Sequence, residues 1–232
     1  MFGLSLVLFL FTMGISLIAV MRTKSVFLHY SQIPTQSGLT GAEVAARILS
    51  AAGIHDVQII ENEGMLSDHY DPLNKRLVLS RENYHGTSVA AAGVSAHECG
   101  HAIQHKIAYA PLKWRMASVG ITTYANQVVM WLPLLGMFTH AISPYTGLMI
   151  MAVAWGIIML FNLITLPVEF DASRRAKLVL PKMNLITSPA EEEGVRKVLD
   201  TAGWTYVAAF ITSLLYFMWY LLPILLGGRR ND

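Results

Sequence analysis

Charged residues and cysteine are both scarce in this chain. Asp, Glu, Lys and Arg make up 14% of its 232 residues, well below the roughly 25% of an ordinary soluble domain. Hydrophobic residues make up 54%, which predicts that a lipid bilayer is part of the protein's solvent. The net charge of +2 gives no indication of a nucleic-acid partner. Cys99 is the single cysteine, so an intrachain disulfide is excluded.

Four long apolar stretches contain no Lys, Arg, Asp or Glu, and each can span the roughly 30 Å of hydrocarbon in a bilayer. We therefore predict four transmembrane helices, at residues 1–21, 119–142, 146–167 and 204–226. The second stretch is the most polar and contains Thr122, Thr123, Asn126 and Gln127. A secretory signal peptide is the alternative for the first stretch, but no Lys or Arg precedes it and no clear small-x-small cleavage site follows.

Positively charged residues beside these stretches predict the orientation of the chain, because they favour the cytoplasmic side of a membrane. They place residues 22–118 and 168–203 in the cytoplasm and the N-terminus outside. The residues that agree are Arg22, Lys24, Lys113, Arg115, Arg174, Arg175 and Lys177. Arg229 and Arg230, at the tail, disagree with this orientation.

The segment 22–118 is the only sizeable one outside the predicted spans. Its patterns predict a helix, two short strands and a longer helix, at 41–52, 57–60, 76–80 and 87–109. A capping box of Thr40 and Glu43 begins the first helix. The longer helix is rich in Ala and Gly, which lets neighbouring helices approach it closely. The segment 168–203 is predicted to be helical.

Residues 97–101 have the pattern His-Glu-x-x-His within the longer helix. Residues four apart share a helix face, so His97 and His101 can both reach one tetrahedral zinc ion. Glu98 can then assist the attack of a zinc-bound water on a peptide carbonyl. This pattern is a signature of zinc metalloproteases. The opposing interpretation, two unrelated histidines on a surface helix, is disfavoured because Ala and Gly dominate around them.

A catalytic zinc ion needs a third protein ligand and an open fourth position. Glu169, at the end of the third predicted span, is the candidate for this third ligand. The alternative is that the Glu169 side chain is a hydrated charge at the membrane interface and binds no metal. His105 continues the face of His97, but it lies about 12 Å farther along the helix axis, too far for one ion to bind both. We expect His105 to cap, to form a hydrogen bond or to lie at the interface. Cys99 is expected to be a small buried residue.

Three segments, residues 68–72, 97–105 and 166–176, together resemble the bacterial neutral zinc metallopeptidases of the membrane. The resemblance covers nearly the whole chain. It implies a gluzincin-type site with one Zn²⁺ per chain. In that site His97, His101 and Glu169 would be the ligands and Glu98 the base. The fold class we predict is therefore a mainly α membrane protein, with four transmembrane helices and a small α+β zincin-like domain at the cytoplasmic membrane surface.

The layout is more distantly similar to the heat-shock membrane protease and CAAX prenyl protease families. Those families carry an aspartate four residues after the glutamate ligand, where this chain has Ser173. A serine can hydrogen-bond a histidine, but it does not carry the negative charge of an aspartate. The sequence therefore does not identify the residue that orients the metal-binding histidines. The tetrahedral intermediate also needs a hydrogen-bond donor. Candidates for these supporting roles are His69, Tyr70, Tyr84, His105, Arg174 and Arg175.

The position of the motif predicts the substrate. The His97 helix ends shortly before the second predicted span, and Glu169 follows the third. One zinc ion bound to both would lie at the cytoplasmic surface of a bacterial membrane. We expect a metalloendopeptidase that cuts membrane-associated proteins or peptides there. The rivals are a non-catalytic, zinc-stabilised membrane scaffold, which would not need Glu98, and a transporter, which would need charged residues within its spans. The sequence predicts neither the cleavage preference nor the oligomeric state.

Overall fold

The chain is mainly helical in the computed structural model, which describes residues 2–64, 67–139 and 142–227. The helices are α1 (Phe2–Tyr30), α2 (Gly41–Ala51), α3 (Arg81–His85), α4 (Val89–Lys106), α5 (Ala110–Thr139), α6 (Pro144–Lys182) and α7 (Pro189–Gly227). The strands are β1 (Gln58–Asn62), β2 (His69–Asp71) and β3 (Arg76–Ser80). The prediction of a mainly α protein with a small sheet is confirmed.

Three helices in the described part of the chain are long and apolar enough to cross a membrane: Gly3–Tyr30, Pro144–Lys182 and Pro189–Leu226. The prediction of four spans is therefore wrong. The fourth, at 119–142, lies largely in α5, where Thr, Asn and Gln side chains lower the mean hydropathy. Residues 140 and 141 of that range, and also Arg229 and Arg230, lie outside the described residues.

The chain divides into two compact units. The first comprises Met1–Ser16, Trp114–Leu166 and Tyr206–Asp232. Within it α6 packs against α7 through a polar link and an aromatic stack. The Asn162 amide donates hydrogen bonds to the Ser213 hydroxyl (3.0 Å) and the Ala209 carbonyl (3.2 Å), and the Trp155 ring stacks on Tyr216 with centroids 4.5 Å apart. Such polar contacts are a common means of joining helices in apolar surroundings.

The second unit comprises Leu17–Lys113 and Pro167–Thr205, and it contains the sheet. In the strand order β1-β3-β2, β3 pairs parallel with β1 and antiparallel with β2. The apolar face of β3 packs with α2, α4, α6 and α7 around one core, whose buried members include Ile48, Leu77, Leu79, Cys99, Leu180 and Leu199. Cys99 is the small buried residue that the sequence predicts.

Local sequence signals set the ends of the helices near the site. Thr40 and Glu43 form both hydrogen bonds of the predicted capping box at the start of α2. The Ser88 hydroxyl accepts from the Ala91 amide and starts α4. The helix predicted at 87–109 ends earlier, at Lys106, because Ala108 has a left-handed conformation (φ 55°) and a second helix begins at Ala110.

Candidate active site

Close packing of α4 against α6 depends on Gly100, within the His-Glu-x-x-His motif. A Cβ atom at this position would lie 2.8 Å from the Ala172 carbonyl oxygen and 3.0 Å from the Ala172 Cα. Both contacts are with backbone, which cannot move aside as a flexible side chain would. The absence of a side chain at Gly100 therefore lets α6 come close enough for Glu169, almost one turn before Ala172, to reach the motif.

The three predicted ligands come together at this contact. Each of His97, His101 and Glu169 offers one ligand atom, and these atoms all lie within 4.8 Å of one another. The Oε2 atom of Glu169 is 3.3 Å from Nε2 of His97 and 3.5 Å from Nε2 of His101. Ligand atoms about 2.0–2.1 Å from a tetrahedral zinc ion are themselves about 3.3 Å apart. The donor types and their spacing therefore fit one zinc ion.

Each imidazole is held by a hydrogen bond at its other nitrogen. Nδ1 of His97 lies 3.1 Å from the Ser173 hydroxyl, and Nδ1 of His101 lies 3.0 Å from Oε1 of Gln104. Because an amide oxygen can only accept, the proton of neutral His101 is on Nδ1, and Nε2 is left to bind a cation. Ser173 is thus the partner of His97, one of the roles that the sequence left open.

Gln104 is fully buried and connects His101 to a carboxylate. Its Nε2 atom donates to Oδ2 of Asp171 (3.0 Å) and to the Val168 carbonyl (2.8 Å). Asp171 is in turn paired with Arg174 and Arg175. Sequence reasoning missed Gln104; its position three residues after His101, on the same helix face, is the signal that could have found it.

Glu98 is 7% exposed and lies beside the two histidines on α4. Burial raises the pKa of its carboxyl group, and the nearby charges of Glu169 and Asp68 raise it further, whereas His97 and His101 partly offset the rise. A carboxyl group with a raised pKa is better suited to hold a proton near neutral pH. The environment of Glu98 is therefore suited to proton transfer.

The other candidates have partners of their own. His69 is exposed, with Nδ1 2.8 Å from the Ser67 carbonyl oxygen. The Tyr70 hydroxyl lies 2.9 Å from Nδ1 of His105, which bears out the expectation that His105 forms a hydrogen bond. Arg174 is paired with Asp171, and Tyr84 packs against the core of the second unit. None of these five residues is among the three donors that converge.

Comparison with known proteins agrees with this geometry. Residues 5–225 match a family described as "Putative neutral zinc metallopeptidase". The chain belongs to this family. A relative from Bacillus subtilis (strain 168), named "Putative membrane protease YugP", is 40% identical over 221 residues, which are 95% of this chain and 96% of the relative. No solved structure gives a significant match. The zinc in the family's description matches the donor set of His97, His101 and Glu169.

Proposed function

We propose that this protein is a zinc-dependent membrane metalloendopeptidase. It cuts membrane-associated proteins or peptides near the cytoplasmic surface of the bilayer. The observation that carries the proposal is the convergence of His97, His101 and Glu169 from two helices, with the buried carboxyl group of Glu98 beside them. A metal ligand set with an adjacent acid of raised pKa is the combination that metal-assisted hydrolysis needs.

A zinc ion at this site would supply Lewis-acid polarisation of the peptide carbonyl and make water a better nucleophile at neutral pH. His97 and His101 would hold the ion through their Nε2 atoms, and Glu169 through its carboxylate. Glu98 accepts the proton of the attacking water and returns it to the leaving amine. Its raised pKa favours this temporary storage of a proton.

The proposed membrane location is inferred from the sequence of α6. This helix begins with a long apolar stretch and continues through Glu169 to a cluster of basic residues, Arg174, Arg175, Lys177 and Lys182. Basic residues that follow an apolar helix favour the cytoplasmic interface. The relative from Bacillus subtilis is also named a membrane protease. We therefore assign the site to the cytoplasmic side, in the unit formed by Leu17–Lys113 and Pro167–Thr205.

The rival function is a zinc-stabilised scaffold without catalysis. Structural zinc sites usually have four protein ligands and need no base. Here three donors converge among the described residues, and the buried acid Glu98 lies next to them. This arrangement favours an enzyme over a scaffold.

Hydrolysis of a quenched fluorescent peptide by the purified, zinc-loaded protein tests the proposal. We expect Glu98→Gln to abolish cleavage while zinc content stays at one ion per chain. Glu192→Gln, at an exposed acid on α7, is the matched control and should cleave like the wild type. Equal cleavage by the wild type and the Glu98 variant would show that the assigned base is wrong.

A further inference from the structure

The turn between β2 and β3 presents an apolar side chain to its surroundings. Leu73, at the tip of this turn, is 84% exposed, the largest exposed fraction of any large apolar residue in the described part of the chain. The Asp71 carboxylate accepts hydrogen bonds from the backbone amides of Leu73 (3.0 Å) and Asn74 (3.2 Å) and from the Asn74 side-chain amide (2.7 Å). A turn closed in this way is well defined, so the exposure of Leu73 is a property of an ordered turn.

This turn lies at the C-terminal end of α4. The Tyr70 hydroxyl, on β2, is 2.9 Å from Nδ1 of His105. Lys75, which closes the turn, and Lys106, the last residue of α4, line the same cavity. Strand β2 runs toward the turn, so Leu73 lies farther along this direction than the contact between Tyr70 and His105.

The C-terminal end of α4 faces the predicted membrane span of α6, because the two helices run antiparallel. The Ser173 hydroxyl lies 3.1 Å from Nδ1 of His97, whereas the carbonyl of Val168, earlier in α6, accepts from the side chain of Gln104, later in α4, at 2.8 Å. Val168 directly follows the apolar stretch at 146–167. The end of α4 therefore lies at the level where α6 leaves the predicted span.

Leu73 can extend past that level into lipid. An extended chain advances about 3.3 Å per residue, so the turn can reach up to about 10 Å beyond Tyr70. Helices that lie in a membrane interface bury their apolar side chains by about 5–10 Å. Ile107, just after α4, is also exposed, at 53%. One exposed leucine is ordinary on a soluble surface, but two exposed apolar side chains at the membrane-facing end of a unit indicate contact with lipid.

The charges at this end nearly offset one another. Lys75, Arg76 and Lys106 are positive, whereas Asp56 and Asp71 are negative. Asp56 is paired with Lys75, at 2.5 Å, and both carboxylate oxygens of Asp71 accept hydrogen bonds within the turn. Attraction to anionic headgroups is therefore weak here. Burial of apolar side chains is the main contribution to a contact with the bilayer.

We propose that the β2–β3 turn inserts Leu73 into the leaflet of the bilayer that adjoins this unit, and that Ile107 enters the same interface. The inserted turn is a contact with lipid in addition to the helices that cross the membrane. It holds the unit that contains the donor triad against the bilayer surface from the side of the sheet. This role goes beyond the proposed function and does not require that the protein cleave peptides.

Fluorescence quenching in the full-length protein tests the insertion. Leu73→Cys is labelled with a thiol-reactive fluorophore and placed in phosphatidylcholine nanodiscs that each hold one molecule and carry nitroxide-labelled acyl chains. Cys99 is buried, and wild type carried through the same labelling measures any reaction there. We expect the label at position 73 to lose as large a fraction of its fluorescence as a label at Val20→Cys, on an exposed position of α1. A label at Asn62→Cys, exposed at the opposite end of the sheet, should lose little.

The rate at which the unlabelled thiols react with a charged, membrane-impermeant maleimide provides a second measurement without an apolar label. In the nanodiscs, the Leu73→Cys thiol should react several-fold more slowly than the Asn62→Cys thiol. Equal rates, or quenching at position 73 no greater than at position 62, would overturn the insertion. A position 73 that is shielded from the maleimide but not quenched by lipid would indicate a contact with protein and would also overturn it.

Discussion

The Gln104 amide joins His101 to Asp171: its oxygen lies 3.0 Å from Nδ1 of His101, and its nitrogen lies 3.0 Å from Oδ2 of Asp171. Asp171, itself paired with Arg174 and Arg175, thus helps to fix the orientation of the amide that faces His101. The other histidine, His97, faces the hydroxyl of Ser173. The two histidines are therefore oriented by different chemistry, and each arrangement can be tested separately.

Replacing Gln104 should weaken zinc binding. Gln104→Met preserves the buried volume but removes both the acceptor for His101 and the donor to Asp171. We expect zinc affinity to fall about 10- to 100-fold, as is typical when the partner of a metal-bound histidine is lost. Competition with a chromogenic chelator measures it. Gln58→Met, on an exposed position of β1, is the control; unchanged affinity of the Gln104 variant would contradict an orienting role.

Substitutions at Ser173 change the hydrogen-bonding group that faces Nδ1 of His97. Ser173→Ala removes the hydrogen bond and should lower zinc affinity several-fold. Ser173→Asp places a carboxylate beside Nδ1, which raises the basicity of the imidazole and should restore affinity to at least the wild-type value. The same chelator competition applies to both variants. An aspartate variant weaker than the alanine variant would show that the site does not accept a second acid there.

Loss of the third donor should release the metal. Glu169→Ala leaves two histidines, and we expect the zinc content, measured by elemental analysis, to fall from one ion per chain to substoichiometric values. Chelation of zinc from the wild type should lower its Tm, because a ligand that binds only the folded state stabilises it. If Glu169→Ala retained a full complement of zinc, the ligand set would have to be revised.

The approach of α4 to α6 should not tolerate a methyl group. In Gly100→Ala the new Cβ would meet the Ala172 backbone at 2.8 Å. We expect a loss of about 1–3 kcal/mol in the free energy of unfolding, typical of overpacking, together with weaker zinc binding. Thermal unfolding with and without zinc measures both effects. Gly120→Ala is a matched control in α5, because nothing lies within 4 Å of its added Cβ; a similar loss there would exclude a steric cause.

Sequence patterns predicted the features that depend on neighbouring residues in the chain. The capping box at Thr40, strand β3 and the His97–His101 pairing all have local signals. Strand β2 was missed because its three residues, His69–Asp71, are too few and too polar to show strand periodicity.

Gln104 was overlooked for a different reason. Its role depends on Val168 and Asp171 of α6, which the sequence alone cannot bring opposite it. The predicted span at 119–142 failed because the absence of charge is a weaker criterion than mean hydropathy when Thr, Asn and Gln are present. One error concerns contacts between α4 and α6, which are distant in sequence, and the other concerns the mean hydropathy of a whole segment. The predictions that the structure confirms rest on patterns of neighbouring residues.

The donor triad has a further consequence for a chain with one cysteine. His97 and Glu169 are 72 positions apart, and all of α5 lies between them. A metal bound to both would act as a reversible cross-link that closes this long loop. Long closures restrict the unfolded chain more than short ones. The concentration of available metal would then affect the stability of the contact between α4 and α6. In secreted proteins, disulfides commonly provide such cross-links.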